Sequence, residues 1–542
     1  MNPVTKSAVP DAVTTTGTGS RWRAADWLAW AVPAAATAAL GLYEIGVPML
    51  WRDELATWSA ASRTLPQLWG TAHHVDAVIS PYYFVMHLWM AVFGDSAAAM
   101  RVPSVLAMTC AAAAVALTGR RLAANNRTGA GAAAALAGGL LYAFIPSVTR
   151  YGQEARPYAF ASMFAALAAL LLLRAIERPS WHRWAWYAVA VACAGASNMI
   201  ALALVAGHVV VVLVACWRDR PARRAVLAGF VVAVVVAVII DSPLIIEGHK
   251  QSLYQIGQQP VPSLADLFGV QGGLWSQLFS SSHVAYAILL LALISVVLAP
   301  RRAEPWCALA CAAVPIVAVW VVSQGSESYW IFRYMLFTVP AWAVSAGLGV
   351  AAICERLPLL RQREAGRYAL AAVLVAAVAV AGFADQRAIR DPEAHNRWAY
   401  PLVVSNGEPV DYAGAANVLA GRQRPGDGIV YQVSDDNHYQ VDMSVAYYLR
   451  GKPIPRPVFQ SKTPAQANSL QPVECAQPAS CLTGTPRLWV VYVNHLVNAG
   501  SIRDPFAAIP PDEAAVLHAA GYQTQDLYAK DGITVALLTA RS

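Results

Sequence analysis

Charge is what this sequence has least of. Only 13% of its 542 residues are Asp, Glu, Lys or Arg, against roughly 25% in soluble domains. So few charges cannot cover the surface of a water-soluble enzyme of this length. The chain also lacks a Gly-rich phosphate loop and an Asp-x-Asp pair, which argues against a nucleotide-dependent enzyme. Its 8 cysteines show no metal-ligand spacing, and that excludes a structural zinc site. Six of them sit in or beside apolar stretches as small core residues. Cys475 and Cys481 differ, lying close together in the polar "VECAQPASCL", where an oxidising compartment would let them close a small loop.

What is present is apolar sequence: 57% of residues are hydrophobic, and the mean hydropathy is +0.44. A net charge of +7 raises the question of nucleic acid, but the basic residues form short clusters between apolar runs, which is the mark of membrane topology. Eleven runs approach the length of about 20 residues that a spanning helix needs: 25–44, 97–118, 130–149, 157–174, 184–197, 199–216, 225–244, 284–299, 305–322, 333–353 and 368–383. With residues 1–23 read as a disordered cytoplasmic tail, every inside connection is basic, from Arg120 and Arg121 to Arg361 and Arg363. The expected architecture is a polytopic α-helical membrane domain over 24–384, with about eleven spans, followed by a soluble α/β domain over 385–542 outside an inner (plasma) membrane. Within that last region "GDGIVYQV", "RLWVVYVN" and "GITVALLTA" read as strands, and "PDEAAVLHAAG" as a helix.

The same topology gathers the unusual polar residues on the outer face. They include Asp53 and Glu54 of "MLWRDELATWSAA", "HHVDAVISPYYFVMHLW" from His73, "RYGQEARPY" from Arg150, "EGHKQSLYQIGQQ" from Glu247 and "SESYWIFRYMLF" from Ser326. Ionisable groups at a membrane boundary are costly to desolvate, so they pair or line an aqueous cavity. Two carboxylates after the first run, and Arg150, Arg156, Lys250 and Arg333 at other outer ends, point to one cavity with an acidic side and a cationic side. Carboxylates suit a hydroxyl, and cations suit a phosphate.

"WRDE" after the first run, "HVDAVISPYYFVMHLW", "GDSAAAMRVPSVL", "EARPY" and "FRYMLFTVP" together resemble the GT-C glycosyltransferases, more narrowly the family 39-like protein mannosyltransferases and bacterial lipid-linked sugar transferases. The resemblance covers roughly 20–385, and the His-Pro-Pro run common in that family is absent from the first outer loop. It implies a catalytic base at Asp53 with Glu54 as its partner. It also implies a polyprenyl-phosphate sugar donor, its phosphate held by Arg156 and Arg333. Arg150, Lys250 and Tyr334 are added by position, with His73, Asp76, Tyr82, Glu154 and Tyr329 lining the pocket. A mannosyl donor is favoured; an arabinofuranosyl donor is the alternative for an Ala-rich chain of actinobacterial character. The acceptor is a glycan, glycolipid or protein, membrane lipids surround the spans, and no nucleic acid is involved. A polyprenyl phosphate leaves readily and needs charge compensation more than a proton, so one base plus cations suffices, and direct displacement predicts inversion.

Plainer readings stand beside these. Asp53 and Glu54 suit the start of a helix over "ELATWSAASRTL", and Arg150 and Glu154 are spaced as a helix pair. Arg333 suits a headgroup anchor, and His73 and His74 suit an ordinary loop. No cofactor is required, although His73, His74, Asp76, Asp53 and Glu54 offer donors to a divalent cation such as Mg or Mn. A lipid or solute transporter and a non-catalytic glycan receptor are the functions of other classes.

Overall fold

The computed structural model describes residues 24–123, 131–257, 259–269, 273–357, 364–391, 410–432, 440–496, 500–501 and 503–540; the expected tail at 1–23 lies outside them. A helix forms at each apolar run. The first part of the chain holds α1 (Ala24–Leu42), α2 (Arg52–Ala61), α3 (Leu65–Ala72), α4 (Ser80–Phe93), α5 (Ala97–Leu122), α6 (Gly131–Phe144) and α7 (Pro146–Gly152). Then come α8 (Tyr158–Glu177), α9 (Trp181–Ser197), α10 (Leu204–Arg218), α11 (Arg223–Ile256), α12 (Leu274–Phe279), α13 (Ser282–Leu298), α14 (Ala303–Val322) and α15 (Val339–Arg356).

Among the described residues 6 helices are long and apolar enough to cross a membrane, or 7 if the bent pair α6 and α7 is one span. Three shorter apolar helices, Trp27–Leu42, Ser282–Leu298 and Ala365–Ala381, stand at three more of the eleven runs. Length and composition by themselves thus support six or seven of the eleven expected spans among the described residues. The 61° bend between α6 and α7 has a local cause. Pro146 opens α7 without an N–H to donate, and the residue before a proline is pushed out of the helical region; Ile145 duly sits at φ −67, ψ 121.

Small residues let these helices close on one another. A Cβ on Gly347 of α15 would lie 2.6 Å from Cα of Gly138 in α6, so only glycine permits this approach. The outer flank is different: α11 leaves Val232, Ile239 and Ile240 exposed, as a lipid-facing surface requires.

The stretch between α1 and α5, expected as a long outer loop, is itself helical through α2, α3 and α4. Beyond the short helix Phe383–Ala388 the chain changes character. Five strands form one sheet in the spatial order Arg456–Pro457, Gly428–Tyr431, Arg487–Val493, Ile533–Ala540, Tyr522–Lys530. The first three run parallel, and the last two pair antiparallel. The helix expected from "PDEAAVLHAAG" is present as Pro511–Ala519, and Cys475 is bonded to Cys481.

The strand Arg487–Val493 is buried nearly throughout because it is covered on both faces. Leu488, Val490 and Tyr492 join one core, with Ile509 and Leu517. Trp489, Val491 and Val493 join another that contains Leu55, Tyr82, Tyr83 and Met86 of α2 and α4. Alternation along one strand thus welds the sheet onto α2 and α4.

Candidate functional site

Asp53 and Glu54 are neighbours at the first turn of α2, where acids are favoured by the helix dipole. One helical step, about 100° of rotation, sends them to different places. Glu54 turns inward and is fully buried. Its Oε1 and Oε2 accept from Nε and Nη2 of Arg101, both at 2.8 Å. Oε1 also accepts from the Ala155 N–H at 2.8 Å, and Oε2 from the Trp51 N–H at 3.4 Å. Arg101, equally buried, spends its remaining donors on the carbonyls of Ile45, Pro48 and Met49. This planar fork is the geometry for which arginine is suited. The expected catalytic partner of Asp53 is therefore a structural clamp that ties the α1–α2 turn to α5 and to the α7–α8 turn.

Asp53 turns the other way, onto a cavity of about 730 Å³. Three guanidinium groups surround its carboxylate: Arg52 Nε lies 3.7 Å from Oδ1, while Arg156 Nη2 and Arg333 Nη2 lie 3.7 Å and 3.9 Å from Oδ2. Arg156 comes from the turn before α8, and Arg333 from the 3-10 turn Phe332–Thr338 before α15. They are 103 and 280 positions downstream of Asp53 in the chain. Arg156 is braced by donating to the Tyr83 hydroxyl at 3.3 Å and to the Thr57 hydroxyl at 3.5 Å. Arg333 donates from Nε to the Tyr158 hydroxyl at 3.0 Å.

Asp76 extends the network, accepting from the Tyr83 hydroxyl at 2.7 Å. Its φ of +55 is a left-handed conformation that Asp tolerates better than most residues, and it turns the chain into α4. Tyr329 and Tyr334 also line the cavity. Tyr329 donates to Glu327, and Tyr334 lies with its ring 5.7 Å from the Arg333 guanidinium carbon.

Other expected residues stand elsewhere. Lys250 pairs with Glu247 on an exposed face of α11, whereas Gly248, Ser252 and Ile256 of the same helix reach the cavity. Arg150 is buried behind the cavity wall, near Ser280 and over the Tyr151 ring. Tyr82 is core, edge-on to Phe160. His73 bonds the Trp69 carbonyl and is not among the lining residues; His74 is. Glu154 is buried behind Asp53, and burial pushes its carboxyl up to about 8, opposed by Arg150 and reinforced by the charges of Glu54 and Asp53.

Some contributors had no expected role. Arg52 and Tyr158 fall within "WRDE" and "EARPY", whereas Ala467–Gln471 come from the sheet region, carried no motif and reach the cavity only through the fold.

Among the described residues no group of three or more His, Cys, Asp and Glu is placed to hold a metal ion. Of the five donors expected for Mg or Mn, Glu54 has its oxygens taken by Arg101 and backbone N–H groups, and Asp53 stands among three guanidinium charges. A further dication there would face strong repulsion.

Over nearly its whole length the fold is similar to that of solved membrane-protein structures. Residues 81–246 match the family model described as dolichyl-phosphate-mannose-protein mannosyltransferase. Over almost its whole length the chain is similar to ArnT from Cupriavidus metallidurans bound to undecaprenyl phosphate. The TM-score there is 0.58 at 14% identity, covering 95% of this chain and 98% of that one. The apo form of ArnT gives 0.57 at 14% identity, covering 94% and 97%. The apo oligosaccharyltransferase of Archaeoglobus fulgidus gives 0.48 at 12% identity, covering 93% and 74%. No curated protein matches the sequence.

Proposed function

We propose that this chain is an integral membrane glycosyltransferase. It moves a sugar, mannose favoured, from a polyprenyl-phosphate donor to an acceptor hydroxyl of the cell envelope on the extracytoplasmic face. The observation that carries the reading is the placement of the Asp53 carboxylate opposite Arg156 and Arg333 in one cavity. The undecaprenyl phosphate named for the ArnT structure and the mannosyltransferase model over 81–246 support a lipid-phosphate donor. In this topology the helices at all eleven apolar runs cross the membrane, and the Cys475–Cys481 bond lies on the oxidising side.

Asp53 takes the proton of the acceptor hydroxyl as that oxygen attacks the anomeric carbon. The new glycosidic C–O bond forms while the bond from the anomeric carbon to the phosphate oxygen breaks, with inversion. Polyprenyl phosphate departs with the electron pair, its charge met by the forked donors of Arg156 and Arg333.

Asp53→Asn in the purified full chain tests the assignment, with a panel of polyprenyl-phosphate sugars as donors. Turnover should fall by about 10²–10⁴-fold with donor binding retained. Turnover within a few-fold of the parent would remove Asp53 from the mechanism.

A further inference from the structure

The wall of the cavity facing away from the membrane helices belongs to the sheet region. Residues 467–471, "ANSLQ", line it together with Gln440. This segment is held in place from below. Arg63, 5% exposed at the end of α2, donates Nη2 to the Ser469 carbonyl at 2.6 Å and Nη1 to the Thr71 hydroxyl. Asn468 adopts φ +50, and its side chain closes directly onto α3: a Cβ on Gly70 would fall 2.5 Å from Asn468 Oδ1. A buried cation and a glycine contact thus fix a strap of the sheet region over a cavity whose floor belongs to the membrane domain.

The chemistry of the two sides differs. Arg52, Asp53, Arg156 and Arg333 concentrate charge on the floor, while the strap and Gln440 offer carboxamides and a serine hydroxyl. A carboxamide donates and accepts at once, which matches hydroxyl groups that also do both. It gives nothing strong to a phosphate or an ammonium group. From this juxtaposition we infer that Ala467–Gln471 and Gln440 form the acceptor subsite, and that it takes a neutral, hydroxyl-rich acceptor such as an oligosaccharide. The inference rests on the transferase reading for the word acceptor, while its binding chemistry stands on the strap alone.

The test uses the full chain in detergent and two measurements: binding of neutral oligosaccharides and of hydroxyl-bearing peptides, followed by ligand-observed NMR, and consumption of a polyprenyl-phosphate sugar. Asn468→Ala and Gln471→Ala should each weaken oligosaccharide binding about tenfold and raise the acceptor KM alike, with the donor KM unchanged. Gly70→Ala should weaken it too, by displacing Asn468 from α3. Binding of peptides in preference to oligosaccharides, binding of neither, or oligosaccharide affinity unmoved by all three variants would overturn the inference. A chain that binds oligosaccharides through the strap yet consumes no donor would uphold it and overturn the transferase reading.

Discussion

Two arginine–carboxylate assemblies stand one residue apart, and they differ in every respect that matters. The Glu54–Arg101 pair is sealed, bidentate and fully hydrogen-bonded. The Asp53 cluster faces a cavity, with one carboxylate among three cations at 3.7–3.9 Å. The first spends its charges on holding the chain, whereas the second keeps charge available to a substrate. Residue type does not separate them; direction from the helix does.

Breaking the sealed side should have the largest effect. Arg101→Met leaves the Glu54 carboxylate buried and uncompensated, which costs roughly 3–5 kcal/mol. Expression in membranes and thermal unfolding in detergent should both collapse, and pairing it with Glu54→Leu should recover much of the loss. If the single variant melts like the parent, the clamp is misassigned. On the open side, Asp53→Asn should leave the melting temperature within a few degrees while lowering turnover about 10²–10⁴-fold, the reverse of the Arg101 phenotype.

The two arginines of the cavity sharpen the contrast further. Arg156 is almost buried and braces Thr57, Tyr83 and the Asp53 carbonyl, so Arg156→Gln should lower both kcat and stability. Arg333 is more open and is braced by Tyr158. Arg333→Gln should mainly raise the donor KM, about tenfold, as steady-state kinetics with varied donor would show. Equal effects of the two variants on melting temperature would contradict this division.

A pH-dependent effect concerns Glu154, which is buried and feels the charges of both Glu54 and Asp53. In the native state its carboxyl is pushed up to about 8, from an ordinary value of 4.5. The folded chain therefore holds that proton more tightly than the unfolded one. Its stabilising contribution is complete below pH 4.5 and is lost as pH rises through about 8. Glu154→Gln should flatten this decline, so that the variant gains thermal stability over the parent at pH 8.5 and matches it near pH 4. Parallel pH profiles would show that Glu154 does not titrate in this window.

Much of the membrane part was legible because lipid imposes a simple rule: an apolar run of sufficient length becomes a helix whose own backbone satisfies its hydrogen bonds. The strands were legible too, since "RLWVVYV" and "GITVALLTA" carry the unbroken apolar character of buried sheet. Asp53, Arg156 and Arg333 were reachable through their motifs. Lys250 was misplaced because a position at a helix end says nothing of its face. Gly248 and Ser252 reach the cavity, while Lys250 between them does not. The strap at 467–471 had no signal at all, because amides in a polar loop look like any solvated turn.

The sequence by itself determined which segments are apolar, where the apolar helices form and what chemical groups exist outside them, since these follow from local composition and the demands of the bilayer. Only the tertiary structure decided which carboxylate is sealed and which is open, and which part of the sheet region covers the cavity. Those outcomes depend on contacts such as Glu54 with Arg101, 47 positions apart, and Arg63 with Ser469, 406 positions apart. No local pattern encodes the partner of a buried charge; packing the whole chain does.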